Sequence, residues 1–152
     1  MEHIESRLTR IEILAGNGNI DGLKEILELS YTQLEIDVAL ENAIAYSQIK
    51  IAEYLLTLGA DMSNYNYQGM YYAVHNNELE GLKFTVSQGV DINVNNGMLL
   101  NTSVMTTMNT NSIELATWLI NNGANPKLLT SQSLKLIDEC EAVELKKLIE
   151  IS

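Results

Sequence analysis

The sequence predicts an all-α solenoid, a row of antiparallel helix pairs stacked through short turn loops. Three observations predict it. Residues 49–61, IKIAEYLLTLGAD, return in weaker form at 79–91, LEGLKFTVSQGVD, and at 113–125, IELATWLINNGAN. The apolar residues that open each second helix, Ile20, Ile49, Leu79, Ile113 and Val143, recur at spacings of 29, 30, 34 and 30. Other positions keep step with them. Nine residues earlier stand Ile11, Leu40, Met70, Val104 and Leu134; six earlier stand Leu14, Ala43, Ala73, Thr107 and Ile137; six later stand Ile26, Leu55, Thr85, Leu119 and Ile149. Within a unit these residues fall at three- and four-residue steps, one face of a helix. So short a helix pair cannot bury that face alone, so the units must stack into one continuous core.

The elements follow in order, within a single domain over residues 1–152. The first unit, about residues 2–30, alternates Glu2, Glu5, Arg7, Arg10 and Glu12 with Ile4, Leu8, Ile11 and Leu14 in a helix over 4–15. Such a half-charged face suits a terminal unit, one side of which meets water. Gly16-Asn17-Gly18-Asn19 stops this helix, because glycine and asparagine accept left-handed conformations, and residues 20–29 return. The second unit, 31–61, opens on Thr32-Gln33-Leu34-Glu35, a capping box in which each side chain satisfies the other's backbone N–H. Helices over 36–46 and 48–58 follow, ended by Gly59. The third, 62–93, places helices at 69–75 and 78–88, closed by Gly89. The fourth, 94–127, places them at 98–109 and 112–121, closed by Gly123, with Pro126 just beyond, where a missing N–H does no harm. The fifth, 128–152, has helices over 132–139 and 142–151. Its face of Lys135, Asp138, Glu139, Glu141, Glu144, Lys146, Lys147 and Glu150 reads as a C-terminal cap.

Bulk properties narrow the function classes. A chain of 152 residues with 46% hydrophobic residues sustains a core. No run of about 18 apolar residues suggests a membrane span, and the charged N-terminus is unlike a signal peptide. Cys140 is the only cysteine, which leaves no internal disulfide and no thiolate metal cluster and fits a cytoplasmic protein. Twenty acidic residues against nine basic ones give a net charge of −11. That field disfavours nucleic acid and anionic membrane surfaces and speeds encounter with a basic partner.

Residues 49–61 and their echoes, apolar helices ending in Gly59-Ala60-Asp61, Gly89-Val90-Asp91 and Gly123-Ala124-Asn125, resemble the second helix and turn of ankyrin repeats. The resemblance covers about residues 2–151, and the unit spacing is near the ankyrin period of about 33 residues. The Thr-Pro-Leu-His signature of the family's first helices is absent; Gln68-Gly69-Met70-Tyr71 and Thr102-Ser103-Val104-Met105 take its place. The hydroxyl–imidazole bonding that ties consensus units together is therefore not expected. The turn regions from Gly59 to Met70 and from Gly123 to Leu134 are about three residues shorter than the family's, so short loops are expected rather than β-hairpin fingers.

The resemblance implies a protein-binding surface on the turn loops and the exposed face of the first helices. Carried onto this chain, that surface comprises Tyr46, Asn64, Tyr65, Tyr67, Tyr71, His75, Asn76, Asn95, Asn96, Asn109 and Glu139. Tyr65, Tyr67, Tyr71 and Tyr72 crowd into eight positions, and tyrosine combines contact area with a hydrogen-bonding tip; Tyr72 and one other ring could instead fill gaps left by the missing signature. Trp118, Met98, Met105 and Met108 read as packing. Residues 91–97 superficially resemble a calcium loop, but the glycine is one place late and Thr102 stands where a bidentate Glu is needed. His3 and His75 are too few for a zinc site. No phosphate loop or nucleophile elbow occurs, so no cofactor, metal or catalysis is expected. The acids at 138, 139, 141 and 144 read as a solvated run.

These features point to a module that binds one protein partner through its concave face and is a monomer when free. Small size and acidity favour an inhibitor, similar to ankyrin-type bacterial immunity proteins, that neutralises a basic toxin such as a nuclease. The alternative is a viral or intracellular-bacterial adaptor that binds a host protein.

Overall fold

The computed structural model describes residues 2–140 and 142–151, with side chains described from Arg7 to Glu150 except Glu141. The expected features of residues 2–6 and 141 that depend on side chains, including His3, lie outside that set. Five helix pairs follow in sequence: α1 (Glu2–Gly16) and α2 (Ile20–Leu27), α3 (Gln33–Ala45) and α4 (Ile49–Thr57), α5 (Asn64–His75) and α6 (Leu79–Ser87), α7 (Val94–Thr110) and α8 (Glu114–Asn121), α9 (Ser131–Glu139) and α10 (Val143–Ile151). A 3-10 turn, Pro126–Leu128, precedes α9. No strand occurs among the described residues, so the fold is all-α. The first helices α1, α3, α5, α7 and α9 pack side by side in one row, and each second helix packs on its own first helix. The core runs the length of the row. One part gathers Ile11, Leu27, Ile36, Leu40 and Leu55; the other gathers Met70, Leu82, Leu100, Leu115 and Leu119. The third pair joins them, lending Ala73 and Phe84 to the first part and Met70, Val74 and Leu82 to the second.

Local chemistry explains the regular units. Thr32 Oγ1 accepts from the Glu35 amide at 3.1 Å and Glu35 accepts from the Thr32 amide at 2.9 Å, so the capping box is complete. Arg7 then donates from Nε to Glu35 at 2.6 Å and ties α1 to α3. The turn inside each of the first four pairs places one residue in the left-handed region: Gly18, Ser47, Asn77 and Asn111 at φ 81°, 58°, 59° and 58°. Each stands two residues before the apolar opener of its second helix, and glycine or asparagine is suited to that backbone. The Gly-Ala/Val-Asp/Asn endings also have a physical reason. Asp61 and Asp91 accept from the amides of Ser63 and Asn93, both at 2.9 Å, and Asn125 accepts from Lys127 at 3.0 Å.

Four expectations need correction. The chain does not enter α5 and α7 directly. Tyr65, Asn66 and Tyr67 (φ 46°, 59°, 64°), and 30 residues later Asn95, Asn96 and Gly97 (φ 54°, 57°, 84°), each make a left-handed turn before the right-handed helix begins. Those turns set the register. Met70, Ala73 and Val74 correspond to Leu100, Ser103 and Val104, and the 34-residue spacing comes from an additional turn at the end of α7, where Thr106 and Thr107 are buried. Thr107 satisfies its hydroxyl by donating to the Ser103 carbonyl at 2.9 Å. The second correction is Leu134, which is 47% exposed although its column is buried elsewhere, because no helix pair lies beyond α9 among the described residues. The third is Met105, 41% exposed rather than core filler. The fourth concerns the end units: charged side chains rim an apolar hollow at each rather than covering it, and Ile13, Leu29, Leu134 and Val143 are exposed.

Amide and carboxylate side chains replace the absent hydroxyl–imidazole ties. Asp37, buried, accepts from the Asp61 amide at 2.7 Å, while Gln33 donates to the Gly59 carbonyl at 2.9 Å. Asn93 repeats both bonds on the Asn125 amide (2.8 Å) and the Gly123 carbonyl (3.1 Å). Asn101 donates to the carbonyls of Gly97 and Leu128 and accepts from the Thr130 amide and the Ser133 hydroxyl, all between 2.7 and 3.0 Å. Such satisfied polar links fix the register between units.

Candidate partner-binding surface

From α1 to α7 the first helices repeat every 29 or 30 residues, so equivalent positions line up along the row: Glu12, Glu41, Tyr71 and Asn101 in one line, Gly16, Ala45, His75 and Met105 in the next. These lines form one face with two grooves. The first, of about 560 Å³, crosses α1, α3 and α5 and is lined by Glu12, Glu41, Asn42, Tyr46, Tyr72 and His75 among others. The second, of about 440 Å³, crosses α5, α7 and α9 between Tyr71, His75, Asn101, Met105 and Gln132. His75 belongs to both. It is the ridge between them.

Around that ridge the rings support one another. Tyr71 and His75 stack with centroids 5.9 Å apart and planes 13° apart, and Tyr72 meets Tyr71 edge-on at 5.2 Å. All three rings are solvent-exposed. Offset and edge-on pairs of this kind hold aromatic side chains in place at low entropic cost. The face is therefore graded along the row, from acidic at Glu12 and Glu41 through aromatic to polar at Asn101 and Gln132.

Glu41 is the electrostatic centre of the acidic part. Burial pushes its carboxyl above the ordinary carboxylate value, the Asn64 amide donating at 2.7 Å opposes that, and the charges of Asp37 and Glu12 add to it. Among the described residues no ion pair reaches Glu12, Asp37 or Glu41. A cation entering this groove would find partly desolvated negative charge with no competing cationic side chain among the described residues. Glu35 stands in contrast. Its hydrogen bond from Arg7 holds it below the usual range against the effect of burial, so it serves structure.

The residues expected from the sequence separate into three groups. Tyr46, Tyr71, His75 and Asn76 come together on the grooved face. Asn64, Tyr65, Tyr67, Asn95 and Asn96 lie at the left-handed turns beside it, where Asn95 donates to the Asn66 carbonyl at 3.1 Å and links the two turns; Tyr65, Asn95 and Asn96 are exposed, whereas Tyr67 packs partly into the core. Asn109 and Glu139 are exposed but line neither groove, and Glu139 sits 3.7 Å from Lys135. Sequence reasoning left Glu12 out, read Met105 as packing, and held Tyr72 open between the aromatic cluster and gap filling. The same 29- and 30-residue offsets that aligned the core would have found them, applied to the polar side of each first helix.

No family model matches the chain. Over 122 residues, 80% of its length, it is 29% identical to a protein of Acanthamoeba polyphaga mimivirus that is named as an ankyrin repeat protein. With that likeness beside them, the stacked helix pairs and their Gly-x-Asp/Asn turns are consistent with an ankyrin-repeat helical solenoid. The chain spans 25% of that viral protein's length. Among the described residues, no helix is long and apolar enough to cross a membrane, and no group of three His, Cys, Asp or Glu side chains is placed to hold a metal ion.

Proposed function

We propose that this chain is a protein-interaction module that receives a basic segment of one partner protein across its first-helix face. One observation carries the reading: the groove of α1, α3 and α5 holds Glu12 and Glu41 without cationic partners, next to the exposed Tyr71–Tyr72–His75 cluster. An arginine or lysine side chain fits both parts, pairing with a carboxylate at its tip and lying on a ring along its stem. The net charge of −11 steers such a partner towards the module at low salt.

Two roles follow from this binding chemistry. As an inhibitor or immunity protein, the module would cover the basic active face of a toxin; acidity supports that role. As an adaptor, it would bring a host protein to other parts of a larger assembly; the longer viral relative favours that role. The test is affinity capture at low and moderate salt, followed by an activity assay of the captured protein. One stoichiometric basic partner that loses enzymatic activity when bound supports the inhibitor. A partner that keeps its activity supports the adaptor. Capture unchanged in a Glu12→Lys/Glu41→Lys variant would remove the groove from the account.

A further inference from the structure

The groove across α5, α7 and α9 differs in kind from its acidic neighbour, because most of its polar side chains are already spent. Asn101 uses both amide hydrogens and both acceptor lone pairs inside the protein. The Thr102 hydroxyl donates to the Met98 carbonyl at 2.7 Å, and those of Thr130 and Ser133 donate to Ser133 Oγ at 3.1 Å and to Asn101 at 2.7 Å. A ligand gains little by competing for groups so engaged. What the groove still offers is carbon: the Met105 side chain, 41% exposed, the exposed Tyr71 ring and part of Leu136. An uncharged apolar side chain suits such a surface, and methionine adapts its shape to whichever one arrives. The two grooves are also continuous. His75 borders both, and the Tyr71 ring stacks on it, so one segment passes between them without leaving the face.

We propose that the partner's basic segment is extended, crosses the His75 ridge and sets an apolar side chain on Met105 six positions away from the residue that pairs with Glu41. This rests on the basic-segment reading above and adds the second residue, its class and its spacing. Charge fixes the basic residue at the Glu12–Glu41 end, and the loss of free polar groups along the row fixes the apolar one at the other. Glu41 stands on α3 and Met105 on α7, two steps along the row of first helices. Packed helices lie about 8–10 Å apart, so the anchors are about 16–20 Å apart across the row. Extended backbone advances about 3.3 Å per residue and covers that span in about five or six residues. Its side chains alternate between faces, so two that point at one surface stand an even number apart. Six meets both conditions. A helical segment would need about eleven to thirteen residues for the same span.

The test is an NMR titration of the full chain with serine- and alanine-based peptides of equal length and charge. One carries arginine alone; the others carry arginine and leucine three, six or twelve positions apart, in both orders. The six-position peptide, in one of its two orders, is expected to bind about three- to tenfold tighter than arginine alone, the gain from part-burying one leucine side chain, and to shift the Met105 methyl signal. Met105→Gln, an exposed change of similar size, should bring the ratio between those two peptides to about one, with circular dichroism showing the variant folded. A leucine that helps equally at three or twelve positions, or a gain that survives Met105→Gln, overturns this inference alone, provided the arginine peptide still loses its binding in the Glu12→Lys/Glu41→Lys variant. An arginine peptide that fails to bind, or binds that double variant as well as the wild type, overturns both this inference and the reading beneath it.

Discussion

Gly81→Ala should destabilise this protein, although alanine is the better helix former. Gly81 is the third residue of α6, and its helix begins against the end of α3. Its amide donates to Ser47 Oγ at 2.9 Å, and a Cβ built on it runs into the main-chain carbonyl oxygen of Ile44, with Ser47 Oγ 3.2 Å away. Helix propensity alone would stabilise the variant by about 0.8–1.0 kcal/mol. Against that stands a backbone displacement in a packed core, costing about 1–3 kcal/mol, and weakening of the Ser47 hydrogen bond, about 0.5–1.5 kcal/mol. The net is a loss of about 0.5–3.7 kcal/mol, read by urea unfolding followed at the helical circular dichroism band. Gly22→Ala is the internal control. Gly22 holds the same place on α2, but its Cβ would meet only side-chain atoms at 3.0–3.1 Å: Leu14, which can move aside, and Asn19, whose shift would loosen its 2.9 Å cap on the Gly22 amide. The expected change is small, within about 1 kcal/mol. A Gly81→Ala variant as stable as the wild type, with Gly22→Ala unchanged, would mean that α3 and α6 do not approach as described.

Other perturbations test other links. Asn101→Ala removes four hydrogen bonds, three of them to other elements, and should cost about 2–6 kcal/mol, at about 0.5–1.5 kcal/mol for each, with amide exchange accelerated mainly over residues 130–151. Tyr65→Gly relieves a left-handed tyrosine whose ring is exposed, so a gain of about 1 kcal/mol is expected in thermal unfolding. Glu41→Gln should raise stability at neutral pH, because the folded state holds the Glu41 carboxyl above its usual value of 4.5. The penalty on the charged form builds as pH rises from 4.5 and is complete above that raised value, so the advantage of the variant should vanish below about pH 4.5. Glu35 has the opposite sign: its carboxyl is lowered from 4.5, so the stability it supplies is present above pH 4.5 and is lost as pH falls through the lowered value. Glu35→Gln should accordingly flatten the acid limb of the stability profile.

The helix pairs were legible in the sequence because burial imposes a strict pattern on them. Columns such as Leu40, Ala43 and Leu55 cannot be polar without cost, and glycine or asparagine recurs where the turns need left-handed backbone. Register in α7 was not legible from apolar columns alone. Both Leu100 and Val104 fit the column, being four residues apart on one helix face, and only the pair of left-handed turns at 65–67 and 95–97 chooses between them. Tyr65 and Tyr67 gave no warning of that backbone, since tyrosine is an unusual residue to find there. The polar ties of Asn93 and Asn101 were hidden for a related reason: an asparagine reads alike whether it faces solvent or holds the next unit. On the binding face, the aromatic crowding at Tyr71 was visible, whereas the acidic groove required knowing that Glu12 and Glu41 share one side of the row with Tyr72. Asp37, a natural choice for charge steering, instead holds the Asp61 amide in the interior. Its reversal would test folding rather than encounter.

The most direct test of the proposed binding face is an NMR titration of the full chain with an arginine-rich peptide, observing aromatic and backbone signals together. The expected result is saturable shifts centred on Tyr71, Tyr72, His75 and the backbone around Glu12 and Glu41, abolished in the Glu12→Lys/Glu41→Lys variant. Shifts centred instead on the exposed acids of α9 and α10, or shifts that persist in that variant, would contradict a basic segment seated on the first-helix face.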